Sequence, residues 1–357
     1  MRVLVTGHNG YIGSVMVPVL RAAGHEVVGL DTFYFEDCTL GSDLDNVPAL
    51  RKDIRDIRES DLIGFDAVAH LAALCNDPLG DLHPEWTHDI NHQASVRLAR
   101  MAREAGVQRF LYASSCSMYG ASGGDAVLTE EAPLRPITPY AVSKVRTEED
   151  VEKLADRSFS PVFMRNATAY GLSPRLRADV VLNNFVCWAH TTGRVRIMSD
   201  GSPWRPIVHV QDISRAFVAA LVAPRDVIHN QAFNVGANGE NYQVRELAEI
   251  VRSTVPGCTI FYAEGASPDP RSYRVDFSKL ARSFPHFKPE WNASFGAKDL
   301  YAALQEAGIT LADFEGRKFI RLTQIKHLLE RGDLDGALTW THRRTTDAAA
   351  AVSGGRS

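Results

Sequence analysis

Short apolar runs alternate with longer segments through the first half of the chain. Five of these runs are brief enough to be buried strands: residues 3–6, 26–30, 66–73, 109–113 and 161–165. Helices are predicted between them, over about residues 91–105 and 139–156. Strands and helices that alternate in this way predict an α/β fold built on a doubly wound parallel sheet.

The first predicted strand runs into a glycine-rich turn that opens a helix. In the segment 6–13, Gly7 permits a tight turn, Gly10 lets the backbone approach a pyrophosphate, and Gly13 lets the helix lie close to the sheet. The N-terminus of that helix would then face the phosphates of a dinucleotide. The predicted contacts with this cofactor are Gly7, Asn9, Gly10, Tyr11, Ile12 and Gly13.

An acidic residue ends the second predicted strand. Asp31 lies eighteen residues after Gly13, where a carboxylate accepts hydrogen bonds from the adenosine ribose and repels a 2′-phosphate. No Lys or Arg occurs in residues 32–38 to hold such a phosphate. The predicted cofactor is therefore NAD and not NADP. Further cofactor contacts are predicted near the ends of later strands, at Asp53, Ile54, Leu71, Ala72 and Ala73.

Two groups suited to proton transfer follow in the chain. Ser115 comes after the run 109–113, and in open α/β sheets ligands bind beyond the carboxyl ends of strands. Tyr140 and Lys144 lie four residues apart and share one face if the segment is helical. An ammonium there would lower the pKa of the phenol from about 10, so that Tyr140 could exchange a proton with a hydroxyl group. The same spacing also fits an aromatic residue and a cation on a solvated helix face.

Together, the glycine turn, Asp31, Ser115 with Tyr119-Gly120, and the Tyr140/Lys144 pair resemble the extended short-chain dehydrogenase/reductases. Within that superfamily the likeness is to the NAD-dependent nucleotide-sugar epimerase/dehydratase family, over about residues 1–300. It implies an NAD-dependent enzyme with a Rossmann-type sheet and a smaller, discontinuous α/β substrate domain. It also implies a nucleotide-diphosphate sugar as substrate, with Ser115, Tyr140 and Lys144 as catalytic residues. Tyr140 and Lys144 are also predicted to contact NAD, Lys144 at the nicotinamide ribose.

The two residues after Ser115 distinguish branches of the family. The 4,6-dehydratases resemble Thr-Asp-Glu there, and nucleotide-glucuronate decarboxylases typically place a Glu where this chain has Ser117. Cys116 and Ser117 provide no carboxylate, which favours 4-epimerisation by reversible hydride transfer at C4. Decarboxylation, reduction of a 4-keto sugar and a non-catalytic NAD-binding role remain alternatives. Cys116 is a candidate catalytic thiol, against the alternative of an inert buried cysteine.

The resemblance also extends to motifs that contact the substrate. Residues 165–171 resemble the segment R-x-x-N-x-Y-G, with Thr168 at the usual Asn, and residues 184–185 resemble an Asn-Phe pair that holds a diphosphate. Arg205 lies where an Arg grips the nucleotide pyrophosphate, as guanidinium geometry favours. For the later arginines, surface ion pairs are the alternative. The predicted substrate contacts are Ser117, Thr168, Asn184, Arg205, Arg271 and Arg274.

The domain organisation follows from the same reading. Residues 1–170 are predicted to form the NAD-binding domain, with 206–238 returning to it. Residues 171–205 and 239–340 are predicted to form the nucleotide-sugar-binding domain, on which a helical appendage over 317–331 packs. The helices at 91–105 and 139–156 resemble a pair that forms a four-helix homodimer interface. The tail 345–357 is expected to be disordered.

Composition narrows the remaining choices. The formal net charge of −4 offers no support for nucleic acid as the main partner. The five cysteines include no pair with C-x-x-C spacing, so neither a metal site nor a disulfide framework is predicted. The chain opens directly into a predicted strand, and no apolar run reaches the length of a membrane span. A soluble, cytoplasmic protein without membrane contact is expected.

Overall fold

The computed structural model describes residues 1–342 except 42, 43, 45, 76, 122–125, 268 and 270. The predicted disordered tail 345–357 lies outside the described residues. The strands, in chain order, are β1 Arg2–Thr6, β2 Glu26–Asp31, β3 Ala49–Arg51, β4 Ala67–His70, β5 Arg109–Ser115, β6 Val127–Leu128, β7 Ser160–Asn166, β8 Thr168–Tyr170, β9 Arg194–Ser199, β10 Trp204–His209, β11 Gln231–Val235, β12 Asn241–Gln243, β13 Thr259–Ser267 and β14 Arg274–Val275.

The α-helices complete the architecture. They are α1 Gly13–Ala22, α2 Asp77–Leu82, α3 Pro84–Thr87, α4 Ala94–Glu104, α5 Pro139–Val151, α6 Val181–Thr192, α7 Val210–Val222, α8 Arg225–Ile228, α9 Val244–Thr254, α10 Ser278–Ser283, α11 Ala293–Glu306, α12 Leu311–Glu315 and α13 Arg321–Glu330. The helix predicted over 91–105 is a π-helical turn, His88–Gln93, that continues into α4.

The large sheet is parallel throughout, in the order β11-β7-β5-β4-β1-β2-β3. Strand β1 is buried from Val3 to Thr6, and its residues Val3, Leu4 and Val5 are apolar because helices cover both faces of the sheet. One face carries α1 and α7, whose Met16 and Phe217 join the same core cluster as Val5. The opposite face carries α4 and α5, whose Leu98 and Val151 pack with Leu4. The predicted doubly wound α/β fold is confirmed.

Smaller sheets stand beside the large one. Strands β12, β10 and β8 form one of them, and β13 pairs with β9. A third core cluster brings together α6, α9 and α11 through Val186, Val251 and Leu304. Strand β11 pairs with β7 in the large sheet although it follows β8–β10 in the chain. The limits of the two domains remain a prediction. No helix in the described part of the chain combines the length and apolarity of a membrane span.

The C-terminal appendage packs on two of the core clusters and not on one alone. Its helix α13 places Ile325 and Leu328 in the cluster that contains Leu30 of the large sheet. The segment after α13 then follows the edge of that sheet, where the indole Nε1 of Trp340 donates to the carbonyl of Thr32 at 2.6 Å. Phe319, at the start of the appendage, lies in the third core cluster, as the predicted packing on the substrate domain requires, whereas α13 packs on the core of the large sheet. Helical periodicity identifies an apolar face but not the core that receives it.

Candidate active site

A cavity of about 1020 Å³ opens at the carboxyl ends of the central strands. The order of the strands reverses between β1 and β4, and open α/β sheets bind ligands at such a point. The large sheet contributes the residues after β1, β4 and β5 to the wall, and α6, β9 and β10 contribute residues opposite them. The volume matches that of a site for a large organic ligand.

The glycine turn forms one side of this cavity. Gly7 has φ +73°, and a Cβ added there would lie 2.8 Å from the amide nitrogen of Ala72. A Cβ on Gly13 would lie 2.2 Å from the carbonyl oxygen of Gly7, so only glycine permits this close packing. Both glycines thus let the turn pack closely, against the residues after β4 and at the start of α1. Of the predicted contacts, the residues on the cavity wall are Gly7, Gly10, Tyr11, Ile12 and Gly13.

Asn9 does not lie on the cavity wall, contrary to expectation. Its backbone N–H donates to the Asp31 carboxylate at 3.0 Å, and its side-chain oxygen accepts from the guanidinium of Arg175 at 2.8 Å. These contacts hold Asn9 behind the turn. Its side chain therefore supports the shape of the turn, whose glycines Gly7, Gly10 and Gly13 face the cavity.

Asp31 lies on the cavity wall at the end of β2. Its two oxygens accept from the backbone N–H groups of Asn9 and Phe33, at 3.0 and 2.8 Å, and these bonds fix the carboxylate. The nearby cations are already paired, Arg51 with Glu36 at 2.5 Å and Lys52 with Asp61 at 2.6 Å. This arrangement suits a ribose diol and offers no unpaired cation to a 2′-phosphate among these neighbours.

The other residues predicted for the cofactor also line the cavity, namely Asp53, Ile54, Leu71, Ala72 and Ala73. The carboxylate of Asp53 has a structural task, since it accepts from the backbone N–H of Arg55 at 2.8 Å and pairs with that guanidinium. Ile54 contributes an apolar surface beside it. The small residues after β4 leave room for a ligand to pass close to the backbone.

Ser115, Tyr140 and Lys144 meet on the cavity wall. Ser115 ends β5, and its Oγ accepts from the backbone N–H of Ser117 at 3.1 Å. Tyr140 lies in the first turn of α5, which Thr138 caps by accepting from the N–H of Ala141 at 3.2 Å. Lys144 follows one turn later, and its Nζ donates to the carbonyl of Ala113 at 2.7 Å. The end of β5 and the start of α5 thus bring the three side chains together.

The electrostatics of this trio differ from the expectation. Burial raises the pKa of Tyr140 well above its ordinary value, and a hydrogen bond with Ser115 opposes that rise. Burial also lowers the pKa of Lys144 to about 8. The ammonium lies 5.6 Å from the centroid of the Tyr140 ring. The expected lowering of the phenol's pKa by Lys144 is therefore outweighed in this structure by desolvation of the phenol.

Cys116 is not placed for catalysis. It is fully buried, and its Sγ donates to the backbone carbonyl of Arg165 at 3.1 Å, away from the cavity wall. Burial raises the pKa of its thiol. The side chain cannot exchange a proton with a ligand from that position. Ser117, in contrast, lines the cavity, and its buried Oγ has no hydrogen-bond partner among the described residues.

Four of the remaining predicted substrate contacts line the cavity: Thr168, Asn184, Arg205 and Arg271. The two arginines share Asp269, at 2.8 and 2.7 Å, so the carboxylate orients both. Arg274 lies off the cavity wall, with its guanidinium carbon 5.0 Å from the centroid of the Trp204 ring. The structure therefore does not support Arg274 as a substrate contact, because it packs against an aromatic side chain instead.

Sequence reasoning missed several polar residues of the wall. Arg177 and Asp179 form an ion pair at 2.9 Å inside the cavity, and Arg196 of β9 has a buried Nε without a hydrogen-bond partner among the described residues. Arg321, from the start of α13, also lies on the wall. Only the pair Arg177 and Asp179 could have been found from the sequence, as part of a cluster of charged residues after β8. Arg196 and Arg321 come from elements whose position no local pattern reveals.

Comparison with known proteins identifies the family. Residues 3–236 match the model of the NAD dependent epimerase/dehydratase family. The chain belongs to this family. As a member of it, the protein is an NAD-dependent enzyme of the nucleotide-sugar epimerase/dehydratase type. The glycine cradle and the fixed Asp31 carboxylate agree with NAD as its cofactor.

Individual relatives of this epimerase/dehydratase-family enzyme cover most of its length. It is 33% identical to the UDP-glucose 4-epimerase of Mycolicibacterium smegmatis over 79% of this chain and 89% of the relative. It is 28% identical to the uncharacterized UDP-glucose epimerase YtcB of Bacillus subtilis, over 85% and 98%. The structure of MoeE5 with UDP-glucose and NAD matches with a TM-score of 0.74 and 28% identity, over 87% of this chain and 100% of that chain.

The Asp31 carboxylate is expected to set the cofactor preference of the enzyme. Asp31→Asn removes the charge that repels a 2′-phosphate and keeps one oxygen as an acceptor. The ratio of the Kd for NADP⁺ to that for NAD⁺ should fall about tenfold or more, since opposed like charges cost several kcal/mol. Titration calorimetry measures both constants. Asp37→Asn, an equal charge change at an exposed position nearby, should leave the ratio unaltered, and an unaltered ratio in Asp31→Asn would contradict the assignment.

Proposed function

We propose that the enzyme is a nucleotide-sugar 4-epimerase that acts through a transient 4-keto sugar. The observation that carries the proposal is the composition of the wall beside Ser115 and Tyr140. A phenol and a hydroxyl lie there, and neither Cys116 nor Ser117 adds a carboxylate. Such a site can exchange the C4 hydroxyl proton, and the two residues that follow Ser115 add no carboxylate for a second proton transfer.

The other acidic side chains of the cavity wall support the same reading. Within the described residues, they are bound to arginines or to backbone amides. Asp77 pairs with Arg271 at 2.7 Å, and Asp179 pairs with Arg177. Dehydration of a sugar needs acid and base groups at two further carbons, and carboxylates held in ion pairs are poor proton carriers. Epimerisation at C4 has no such requirement.

Three residues of the chain have separate roles in the proposed reaction at C4. NAD, when bound, supplies a hydride acceptor with a positively charged ring. Tyr140 as phenolate removes the proton of the C4 hydroxyl, and Ser115 donates a hydrogen bond to the same oxygen. The cation of Lys144 and, when NAD is bound, the charged nicotinamide ring would together stabilise the phenolate that desolvation disfavours. After the keto sugar has turned its other face to the cofactor and C4 has regained the hydride, Tyr140 returns the proton to the C4 oxygen.

The far end of the cavity is proposed to hold the nucleotide diphosphate. Arg205 and Arg271 lie there with the carboxylate that orients them, and guanidinium groups bind phosphate in a bidentate manner. Thr168, Asn184 and Ser117 would contact the sugar and diphosphate between that end and Tyr140. The relatives named above motivate UDP-hexoses as the first substrates to test.

The experiment is a product analysis. Purified enzyme incubated with UDP-glucose or UDP-galactose is expected to give the C4-inverted nucleotide sugar by proton NMR, with no net consumption of added NADH. The protein should carry NAD(H) when it is released by heat. Absence of C4 inversion with every nucleotide hexose in a panel that covers UDP, dTDP, GDP and CDP sugars would contradict the proposal.

The same assay separates the alternatives. Release of carbon dioxide from a nucleotide glucuronate would identify a decarboxylase, for which the β-keto acid would have to lose carbon dioxide without a dedicated acid. Stoichiometric consumption of NADH or NADPH would identify a 4-ketoreductase. MoeE5, whose fold this chain shares, has also been solved with UDP-glucuronic acid, so that substrate belongs in the panel.

The charge of Lys144 is expected to set the alkaline limit of activity. Because burial lowers its pKa to about 8, the side chain loses its proton above that pH and no longer stabilises the phenolate. The profile of kcat/KM against pH should therefore fall above about pH 8. In Lys144→Arg the guanidinium stays protonated, so the fall in kcat/KM should move to higher pH. The maximum value of kcat/KM should be lower than that of the wild type. A fall at unchanged pH would assign it to another group.

We further propose that the enzyme is a homodimer. The helices α4 and α5 lie side by side on one face of the large sheet, as the predicted four-helix interface requires. His92 of the π-helical turn and Asp150 of α5 are joined at 2.8 Å, which ties the two helices together. Light scattering during gel filtration should report about twice the mass of the chain. A monomer at micromolar concentration would exclude a stable interface.

A further inference from the structure

A buried arginine from the C-terminal segment reaches the wall of the cavity. Arg321 is only 5% exposed, and it lines the cavity beside Ile320. Its Nη2 donates to the carbonyl of Arg175 at 2.7 Å, and its guanidinium carbon lies 4.4 Å from the centroid of the Phe35 ring. Its Nη1 is buried and has no hydrogen-bond partner among the described residues. One edge of the guanidinium is thus unused.

Among the described residues, no carboxylate forms an ion pair with this guanidinium. Asp179 acts on Arg321 at longer range, but its carboxylate is bound to both Nε and Nη2 of Arg177, at 2.9 and 3.0 Å. Burial lowers the pKa of Arg321 to about 10, so the side chain remains a cation at neutral pH. A buried cation with an unsatisfied donor is costly. An anionic acceptor that enters the cavity would satisfy both needs.

The surroundings of Arg321 belong to the dinucleotide side of the cavity. Arg175, which accepts its hydrogen bond, holds the side chain of Asn9 in the glycine turn. Gln324, one turn later in α13, donates to the carbonyl of Tyr34 at 3.0 Å. Tyr11, at the start of α1, lies within the electrostatic range of Arg321. The anion that suits this position is therefore a phosphate at the N-terminus of α1.

We infer that Arg321 binds the pyrophosphate of NAD and that the C-terminal segment serves to position this arginine at the cavity. The matched family range ends at residue 236, so this contact comes from a part of the chain outside that range. Two hydrogen bonds that hold the C-terminal segment against the rest of the protein agree with this positioning role. Trp340 donates to the carbonyl of Thr32, and Trp86 donates to the carbonyl of Gly336 at 2.8 Å. The inference concerns cofactor binding and holds for any of the reactions considered above.

The test measures binding by full-length protein freed of nucleotide. Arg321→Gln should weaken NAD⁺ and ADP-ribose about 10- to 100-fold, the range of a charge-assisted hydrogen bond. Adenosine, which has no phosphate, and UDP, which probes the nucleotide-sugar end, should bind within about threefold of wild type. Arg317→Gln is the matched control, because Arg317 lies off the cavity wall and donates to Gln324 at 2.9 Å. The NAD(H) content of the protein as purified gives a second readout.

Three outcomes would overturn the inference. Weaker binding of UDP with unchanged binding of NAD⁺ would place the guanidinium at the diphosphate of the nucleotide sugar. Unchanged affinity for every ligand would leave Arg321 a structural residue. Equal weakening of adenosine and ADP-ribose would mean that the adenosine site is disturbed as a whole. If Arg321→Gln does not fold, Arg321→Lys provides the same comparison, with an expected loss of about 3- to 10-fold for NAD⁺ and ADP-ribose only.

Discussion

Tyr140→Phe is expected to lower kcat by about 10²- to 10⁴-fold, the usual contribution of a positioned acid or base. The substitution removes only the hydroxyl that exchanges the C4 proton. The ring, the start of α5 and the position of Lys144 are retained, so NAD content and thermal stability should match those of the wild type. The measurement is the rate of C4 inversion under saturating nucleotide sugar, together with the molar ratio of NAD(H) to protein.

Tyr170→Phe is the matched control for this variant. The Tyr170 hydroxyl is buried outside the cavity wall and has no hydrogen-bond partner among the described residues. Its loss should change neither rate nor cofactor content. If Tyr140→Phe keeps at least a tenth of the wild-type rate, another group exchanges the proton. If biological activity of the protein is unchanged while no turnover is detectable in either form, the non-catalytic alternative gains support.

Glu148→Ala is expected to destabilise the enzyme by about 3–5 kcal/mol, the cost of breaking a buried ion pair from one side. Glu148 and Arg165 are both buried, and their bidentate contact includes a distance of 2.7 Å. The guanidinium also donates to the carbonyl of Glu130 at 2.9 Å. Removal of the carboxylate leaves that cation buried without a counter-ion. Urea unfolding monitored by circular dichroism measures the loss.

Two further variants test the cause of that loss. Glu149→Ala changes the adjacent, exposed carboxylate of α5 and should alter stability by at most about 0.5 kcal/mol. The double variant Glu148→Met with Arg165→Met removes both charges, and it should be more stable than Glu148→Ala because no unpaired charge remains. A double variant that is less stable than Glu148→Ala would show that packing and not charge dominates at this site.

Much of the nucleotide half could be predicted because its signals are local. The glycine turn, the carboxylate at the end of β2 and the spacing of Tyr140 and Lys144 each depend on a few consecutive residues. Backbone sterics and helical periodicity then place them in the same way in any fold of this class. The cofactor and the family followed from these residues, and both agree with the comparisons. The role of each site residue remains a prediction that the variants above address.

What the sequence determined by itself was therefore the type and order of elements, the glycine turn and the residue types at the strand ends. Only the tertiary structure decided which long-range partners they meet. It buried Cys116 against Arg165, paired Asp77 and Asp179 with arginines, raised the pKa of Tyr140 by desolvation, and brought Arg321 to the cavity wall. Burial and pairing depend on residues that are far apart in the chain, and local periodicity carries no information about those distances.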